Sequence, residues 1–319
     1  MIILGDLHLD ARLGNRKSVD LLNEKLDKLI DIINSQDKVV FLGDYFNPAN
    51  PDNGEREKLS EIIMQITIEK IFLVGNHDKD KYGNCCLSAI RPFIIQNNGI
   101  IVDDYYEMGD YCFISYTLDF QHIENIIKTT KCKYIIGHFS FEYENRGRIF
   151  KGELEYKPEY DNKIFILGHI HKSQNPKPNV YILGGIVPSK LDELDYNYKV
   201  LVIEKDNTFN FKNIKYNLTQ ITVNDISELK DANENTKVLI KVDTIEEKNK
   251  ILEQLKDRKF LDIKVEVKDK TIDISGLNIE TMVKEYLKIL GREDLYETAM
   301  KWISQKDVEN VNEMPITHS

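Results

Sequence analysis

The sequence predicts a layered α/β domain with a mostly buried sheet, followed by a small α+β unit and closing helices. Three observations carry this. Strand-like and helical stretches alternate from the first residue to about residue 215. Several of the strand-like runs are short and continuously apolar, as in strands covered on both faces. After Asn217 the pattern changes to a compact strand–helix–strand unit and then to two amphipathic stretches.

MIIL (1–4) is the first strand, and the stretch after it carries Val19, Leu22, Leu26, Leu29, Ile30 and Ile33 at helical spacing. KVVFL (38–42) follows, then a helix near 55–67, then KIFLV (70–74). GIIVD (99–103), YCFISY (111–116), KYIIG (133–137), KIFILG (163–168) and VYILGG (180–185) are further strands. In 198–214, YKVLVIEKDNTFNFKNI reads as a hairpin turning at Asp206-Asn207, and it closes a first domain at 1–215. A second domain, 216–275, has strands at KVLIKVD (237–243) and FLDIKVEV (260–267). Between them Thr244 and Glu247 form a capping box for a helix with Ile245, Ile251, Leu252 and Leu255 on one side. Residues 276–319 hold two apolar stripes. One is Ile279, Met282, Val283, Tyr286, Leu287 and Leu290; the other, after Gly291, is Leu295, Ala299, Trp302 and Ile303. Such stripes pack on their own domain more often than they await a partner.

With 41% hydrophobic and 30% charged residues and a mean hydropathy of -0.41, the 319-residue chain has the composition of a soluble globular protein, not a disordered or fibrous one. No apolar run approaches the roughly 20 residues of a membrane helix. The first residues carry no basic leader, so a cytoplasmic protein is expected. Cys85, Cys86, Cys112 and Cys132 form no C-x-x-C pair and read as reduced structural thiols. The net charge is -10: residues 1–215 have 27 Lys+Arg against 32 Asp+Glu, and residues 216–319 have 16 against 21. Neither part is a basic nucleic-acid-binding domain, so a nucleic-acid substrate would need bound cations, a local basic patch or a partner to offset repulsion.

One pattern recurs at the strand ends. MIILGDLH places Asp6 and His8 beyond the first strand, KVVFLGDYF places Asp44 beyond the second, and FLVGNHD places Asn76 and His77 beyond the third. YIIGHF adds His138, and IFILGHIH adds His169 and His171. Each time a glycine stands at or next to the turn. In an open α/β sheet the carboxyl ends of the strands line one crevice, where these side chains can converge. The donors are oxygen and imidazole nitrogen with no thiolate, a set suited to Mn²⁺, Fe²⁺, Mg²⁺ or Zn²⁺. Two carboxylates and at least four imidazoles exceed the needs of one ion; two ions roughly 3.5–4 Å apart, sharing one carboxylate, would use them all. Five of the seven histidines lie in this context, while His122 and His318 read as surface residues.

D-x-H, G-D, G-N-H-D, G-H and G-H-x-H, in this order over residues 6–171, resemble the calcineurin-like metallophosphoesterases. The resemblance implies a β-sandwich of mixed sheets flanked by helices, with a two-metal centre. It implies one metal on Asp6, His8, Asp44 and His171, and the other on Asp44, Asn76, His138 and His169. His77 would then stand off the metals, facing the substrate, where it stabilises the transition state or protonates the leaving oxygen, with Asp78 orienting it. Gly75 would let the chain turn sharply out of its strand.

GDLHLDARLGNR, GDYFNPANP, GHIHKSQ, the small cap and the ending NIETMVKEYLKILGREDLYETAMKWISQ are also similar to the SbcD-type nucleases of DNA recombination and repair, especially their phage-type members. That resemblance implies a DNA exo/endonuclease using divalent metal, Mn²⁺ first among the candidates. It also implies a homodimer working with an SbcC-type coiled-coil ATPase, and no membrane. The chain departs from many such relatives at Asn47, where they carry histidine, and at Gly184-Gly185 in place of Pro-Gly-Ser. Arg12, Arg16, Lys17, Arg146, Arg148 and Lys151 are candidate contacts to backbone phosphates. The alternative within the same superfamily is a small-molecule phosphodiesterase or phosphatase acting on nucleotides.

Overall fold

A computed structural model describes residues 1–47, 51–145, 148–267, 279–289 and 292–301. The chain divides into two compact units, Met1–Thr219 and Gln220–Ser319.

The apolar runs of the first unit form two six-stranded sheets. In the first, Ile2–Leu4, Lys38–Phe41, Glu69–Leu73 and Gly99–Val102 run parallel, in that order. Lys199–Ile203 and Phe209–Asn213 extend it antiparallel beyond Ile2–Leu4. In the second sheet, Tyr111–Ile114, Tyr134–Gly137, Ile164–Leu167 and Val180–Ile182 are parallel, with antiparallel edges at Tyr105–Met108 and Gln174–Lys177. Both sheets are therefore mixed.

Alternation along each strand explains the continuous apolar runs. Ile3, Val40, Leu42, Ile71 and Leu73 from the first sheet share one buried cluster with Phe113, Ile136 and Ile166 from the second. The intervening residues Ile2, Leu4, Val39, Phe41 and Phe72 point the other way and are buried too. Helix Ser18–Asn34 connects the first two parallel strands and buries Leu21, Leu22, Leu26, Leu29, Ile30 and Ile33. On the far face of the second sheet, Ile123, Ile126 and Ile127 of helix Phe120–Thr129 pack with Cys112, Ile114, Ile135, Phe165 and Leu167. Each fully buried aliphatic or aromatic side chain stabilises the fold by roughly 1.5–3 kcal/mol. Ordering a residue's backbone costs about 1–2 kcal/mol, so these strands can hold polar turns at their ends in fixed conformations.

The second unit has its own core. Thr236–Val242 and Asp262–Val267 pair in parallel, joined through helix Ile245–Leu255, with Thr219–Val223 completing a three-stranded sheet. Val223, Leu229, Val238, Ile240, Val242, Leu255, Phe260 and Val265 are buried together. Thr244 caps the helix through the Glu247 N–H, while the Glu247 carboxylate accepts the N–H of Asp243 and not that of Thr244. Leu252, expected on the apolar side, is exposed. Helix Ile279–Ile289 buries Leu287; Leu290, Trp302, Ile303 and His318 lie outside the described residues. No helix among the described residues is long and apolar enough to cross a membrane. All four cysteines are free thiols.

Candidate metal centre

Five strands deliver the polar turns. Ile2–Leu4, Lys38–Phe41 and Glu69–Leu73 are parallel neighbours in the first sheet, and Tyr134–Gly137 and Ile164–Leu167 are parallel neighbours in the second. Their carboxyl ends lie on one side of the sandwich, so the turns after them meet. The Asp44 carbonyl accepts the N–H groups of Leu7 and His8 at 3.1 and 2.9 Å, and Asp6 Oδ1 accepts that of His169 at 3.2 Å. His8, Asp44 and His169 hold left-handed backbone, with φ of 40°, 51° and 77°. Such conformations cost of order 1–3 kcal/mol each and persist only where surrounding structure enforces them.

The side chains gather in two groups, Asp6, His8 and His171, and Asp44, His138 and His169, each with ligand atoms within 4.8 Å of one another. Asp44 Oδ2 lies 3.3 Å from His138 Nε2 and 3.8 Å from His8 Nε2, so one carboxylate oxygen reaches both groups. Asn76 Oδ1 lies 3.0 Å from His138 Nε2 and 2.8 Å from His169 Nδ1. His8 Nε2 and His171 Nε2 face each other at 2.9 Å. Asp6 Oδ2, Asp44 Oδ2 and His8 Nδ1 are buried without a hydrogen-bond partner among the described residues. Leaving such groups unpaired is expensive, more so for charged ones. Orphaned carboxylate oxygens and converging imidazole nitrogens are what divalent cations would satisfy, so these residues fit a two-metal centre.

Electrostatics show the same tension. Burial pushes the Asp6 carboxyl above its usual range and lowers the His8 imidazole to about 3. Burial opposes a charged His138, but Asp44 and Asp6 beside it hold its pKa up to about 10. Asp44 is driven down: burial resists its charge, and His138 and His8 outweigh that.

His77 stands at the edge of the centre, half-buried, with its ring edge-on to His8 at 5.3 Å between centroids. Its N–H donates to Asp44 Oδ1 at 2.9 Å, and its Nδ1 meets the Asn47 carbonyl at 2.6 Å. Asp10 accepts the Asn47 N–H and steadies that carbonyl. The backbone at position 47 thus orients His77, and Asn47 supplies this without its side chain. Asp78 was expected to orient the His77 ring, and here the structure differs. Its buried carboxylate accepts backbone N–H groups of Asp44 at 2.8 Å, Tyr45 at 2.9 Å and Gly75 at 2.8 Å, fixing the turn that carries Asp44. Burial, then the charge of Asp44, raises its pKa to about 7.

Gly75 also differs from expectation. Its φ is not left-handed; a Cβ there would lie 2.1 Å from Asp44 Oδ1, so the glycine makes room for that carboxylate. Gly43, directly before Asp44, is left-handed instead, with φ of 111°.

Of the candidate phosphate contacts, Arg12 and Lys151 are exposed, while Arg16 is paired with Glu24 at 2.5 Å. Lys17 is half-buried where helix Ser18–Asn34 begins, and Arg148 lies in strand Arg148–Phe150. Arg146 lies outside the described residues. Sequence reasoning missed Glu153, 2.8 Å from His169 Nε2, and Glu193, 2.6 Å from His171 Nδ1. Glu153 stands in an irregular segment between the last two motifs and Glu193 in one after them, with no spacing to mark either.

The family described as calcineurin-like phosphoesterase matches residues 1–173 of the chain. No curated protein matches it. Among solved structures, TT1561 of Thermus thermophilus aligns at 11% identity over 67% of this chain and 99% of that one, with a TM-score of 0.42. The Pseudomonas putida nuclease MPE aligns at 11% identity over 56% of this chain and 71% of that one, with a TM-score of 0.29.

Proposed function

The chain belongs to the calcineurin-like phosphoesterase family of metal-dependent hydrolases, and we propose that it is a two-metal phosphodiesterase acting on DNA, the nuclease subunit of an SbcCD-type recombination and repair complex. One observation carries the two-metal part: two ligand groups, each complete enough to hold an ion, with Asp44 Oδ2 in reach of both. One ion would be held by Asp6, His8, Asp44 and His171, the other by Asp44, Asn76, His138 and His169. When bound, such ions neutralise charge on phosphoryl oxygens and supply hydroxide near neutral pH.

The chain's own groups do the rest. His77 Nδ1 donates to the Asn47 carbonyl, which leaves Nε2 as the ring atom without a protein partner among the described residues. A proton held there can pass to the leaving oxygen of the phosphodiester, the general-acid role. Asp78 holds the Asp44 turn through three backbone donors and so fixes the carboxylate common to both groups.

DNA as substrate, a homodimer and a coiled-coil ATPase partner are supported by the motif order, the strand–helix–strand unit after residue 219 and the closing helical stretches. The test supplies purified protein with Mn²⁺ and compares linear duplex DNA, bis-p-nitrophenyl phosphate and mononucleotides. Cleavage of the duplex is expected. Turnover of the small substrates alone would replace the nuclease with a nucleotide phosphodiesterase or phosphatase. Sedimentation reads the dimer, and co-purification reads the ATPase partner.

A further inference from the structure

We propose that Glu153 and Glu193 are positioning residues, one for each metal, which fix the ring nitrogen that each histidine of the Gly-His-Ile-His turn presents to its ion. The inference rests on the two-metal reading above.

The observation is a construction that occurs twice. Glu193 places Oε1 2.6 Å from His171 Nδ1, while Oε2 accepts the backbone N–H of Ser189 at 2.8 Å and its hydroxyl at 2.9 Å. Glu153 places Oε1 2.8 Å from His169 Nε2, while Oε2 accepts the backbone N–H of Ser140 at 2.8 Å and the same residue's hydroxyl. In both, a serine clamps one carboxylate oxygen with two donors and the other oxygen meets a histidine. Ser140, Ser189 and Glu193 are buried, so these are not solvated surface pairs.

The chemistry follows from donor counting. A neutral imidazole has one N–H and one lone pair, and an ionised carboxylate only accepts. The nitrogen on the glutamate must therefore carry the proton, and the opposite nitrogen keeps the lone pair. For His171 the lone pair falls on Nε2, which faces His8 Nε2; for His169 it falls on Nδ1, which faces Asn76 Oδ1. Two histidines separated by one residue thus use opposite nitrogens, each aimed into its own ligand group. His138 reaches the same end through a neutral acceptor, its Nδ1 meeting the Leu42 carbonyl at 2.8 Å, and His8 Nδ1 has no partner among the described residues. Among the described ligand histidines, the Gly-His-Ile-His pair has a carboxylate at hydrogen-bond distance on the outer nitrogen, which raises ligand basicity as well as fixing the tautomer. Each glutamate acts on one ion.

Glu153→Gln and Glu193→Gln, each in the full chain, are titrated with Mn²⁺ alone by calorimetry and by electron paramagnetic resonance. Each variant is expected to keep one ion at wild-type affinity and to hold the other about 10–100-fold more weakly, and the double variant to weaken both. Imidazole ¹⁵N spectra of the Zn²⁺-loaded wild type are expected to show the proton on Nδ1 of His171 and on Nε2 of His169, a readout that stands even where a variant fails to fold. Wild-type affinity for both ions in both variants, equal weakening of both ions by either variant, or the reversed tautomers would overturn the assignment while leaving the metal centre intact. A wild-type protein that binds fewer than two ions would overturn the two-metal reading itself, and this inference with it.

Discussion

Asp78→Asn separates two roles for a carboxylate that follows the third-strand ligands. In the structure Oδ2 accepts the N–H groups of Asp44 and Gly75, and Oδ1 accepts that of Tyr45. An asparagine can put its carbonyl where Oδ2 stands and keep two of these bonds. Its amide then faces the Tyr45 N–H, donor against donor, in a fully buried setting. One buried N–H left unpaired costs about 1–3 kcal/mol. At roughly 2–4 °C per kcal/mol for a unit of this size, melting should fall by about 2–12 °C. The displaced turn carries Asp44, so affinity for both ions should fall as well. Thermal melts with and without chelator, alongside Mn²⁺ titration, provide the measurement. A variant that melts and binds metal like wild type, but turns over more slowly, would return Asp78 to the orientation of His77 and refute the turn-fixing argument.

His77→Ala should lower turnover about 10²–10⁴-fold, the usual worth of a general acid, with metal content by elemental analysis unchanged. Gly75→Ala sets a methyl 2.1 Å from Asp44 Oδ1; both ions should bind more weakly in Mn²⁺ titration, and unchanged affinity would remove the close-approach argument. Glu153 has its pKa lowered from 4.5 to about 2: burial resists the charge, but His169 and Ser140 more than offset it. A depressed carboxyl stabilises the folded state above pH 4.5 and loses that contribution as pH falls towards 2. Metal-stripped wild type should therefore lose stability to urea more steeply across that window than Glu153→Gln.

The ligand turns were legible because each is local: an apolar strand, a glycine and a donor sit within a few residues, and a strand end can point only one way. Nothing comparable marks Glu153 or Glu193, whose partners lie 16 and 22 residues away in sequence, with strands in between. The division into two sheets was also hidden from the apolar runs. Val40 faces the second sheet and Val39 the opposite side, yet both are fully buried valines, and either surrounding would select them. Gly75 shows how a correct residue can carry the wrong reason. A sharp turn and a close approach both demand a missing side chain, and only coordinates distinguish them. Asp78 misled because adjacency to His77 suggested contact, whereas its carboxylate turns inward to backbone donors that no side-chain pattern reveals.

Charge ties the centre to its substrate. Both parts of the chain are acidic, Arg16 is engaged by Glu24, and the ligand groups add the buried carboxylates Asp6 and Asp44. A phosphoester approaching this surface meets repulsion unless the centre itself is cationic. Two divalent ions would bring four positive charges against the two of Asp6 and Asp44, which leaves an excess facing the phosphate. Glu153 and Glu193 sit on the far nitrogens of His169 and His171, with an imidazole between each carboxylate and the ligand groups. Placed there, they compensate the buried positive charge without occupying a metal or repelling the substrate at contact distance. The same two carboxylates on the inner nitrogens would cancel the excess that makes the site attractive to an anion. Their position behind the histidines therefore serves the electrostatics of an acidic protein that must hold a phosphoester, as much as the orientation of the rings.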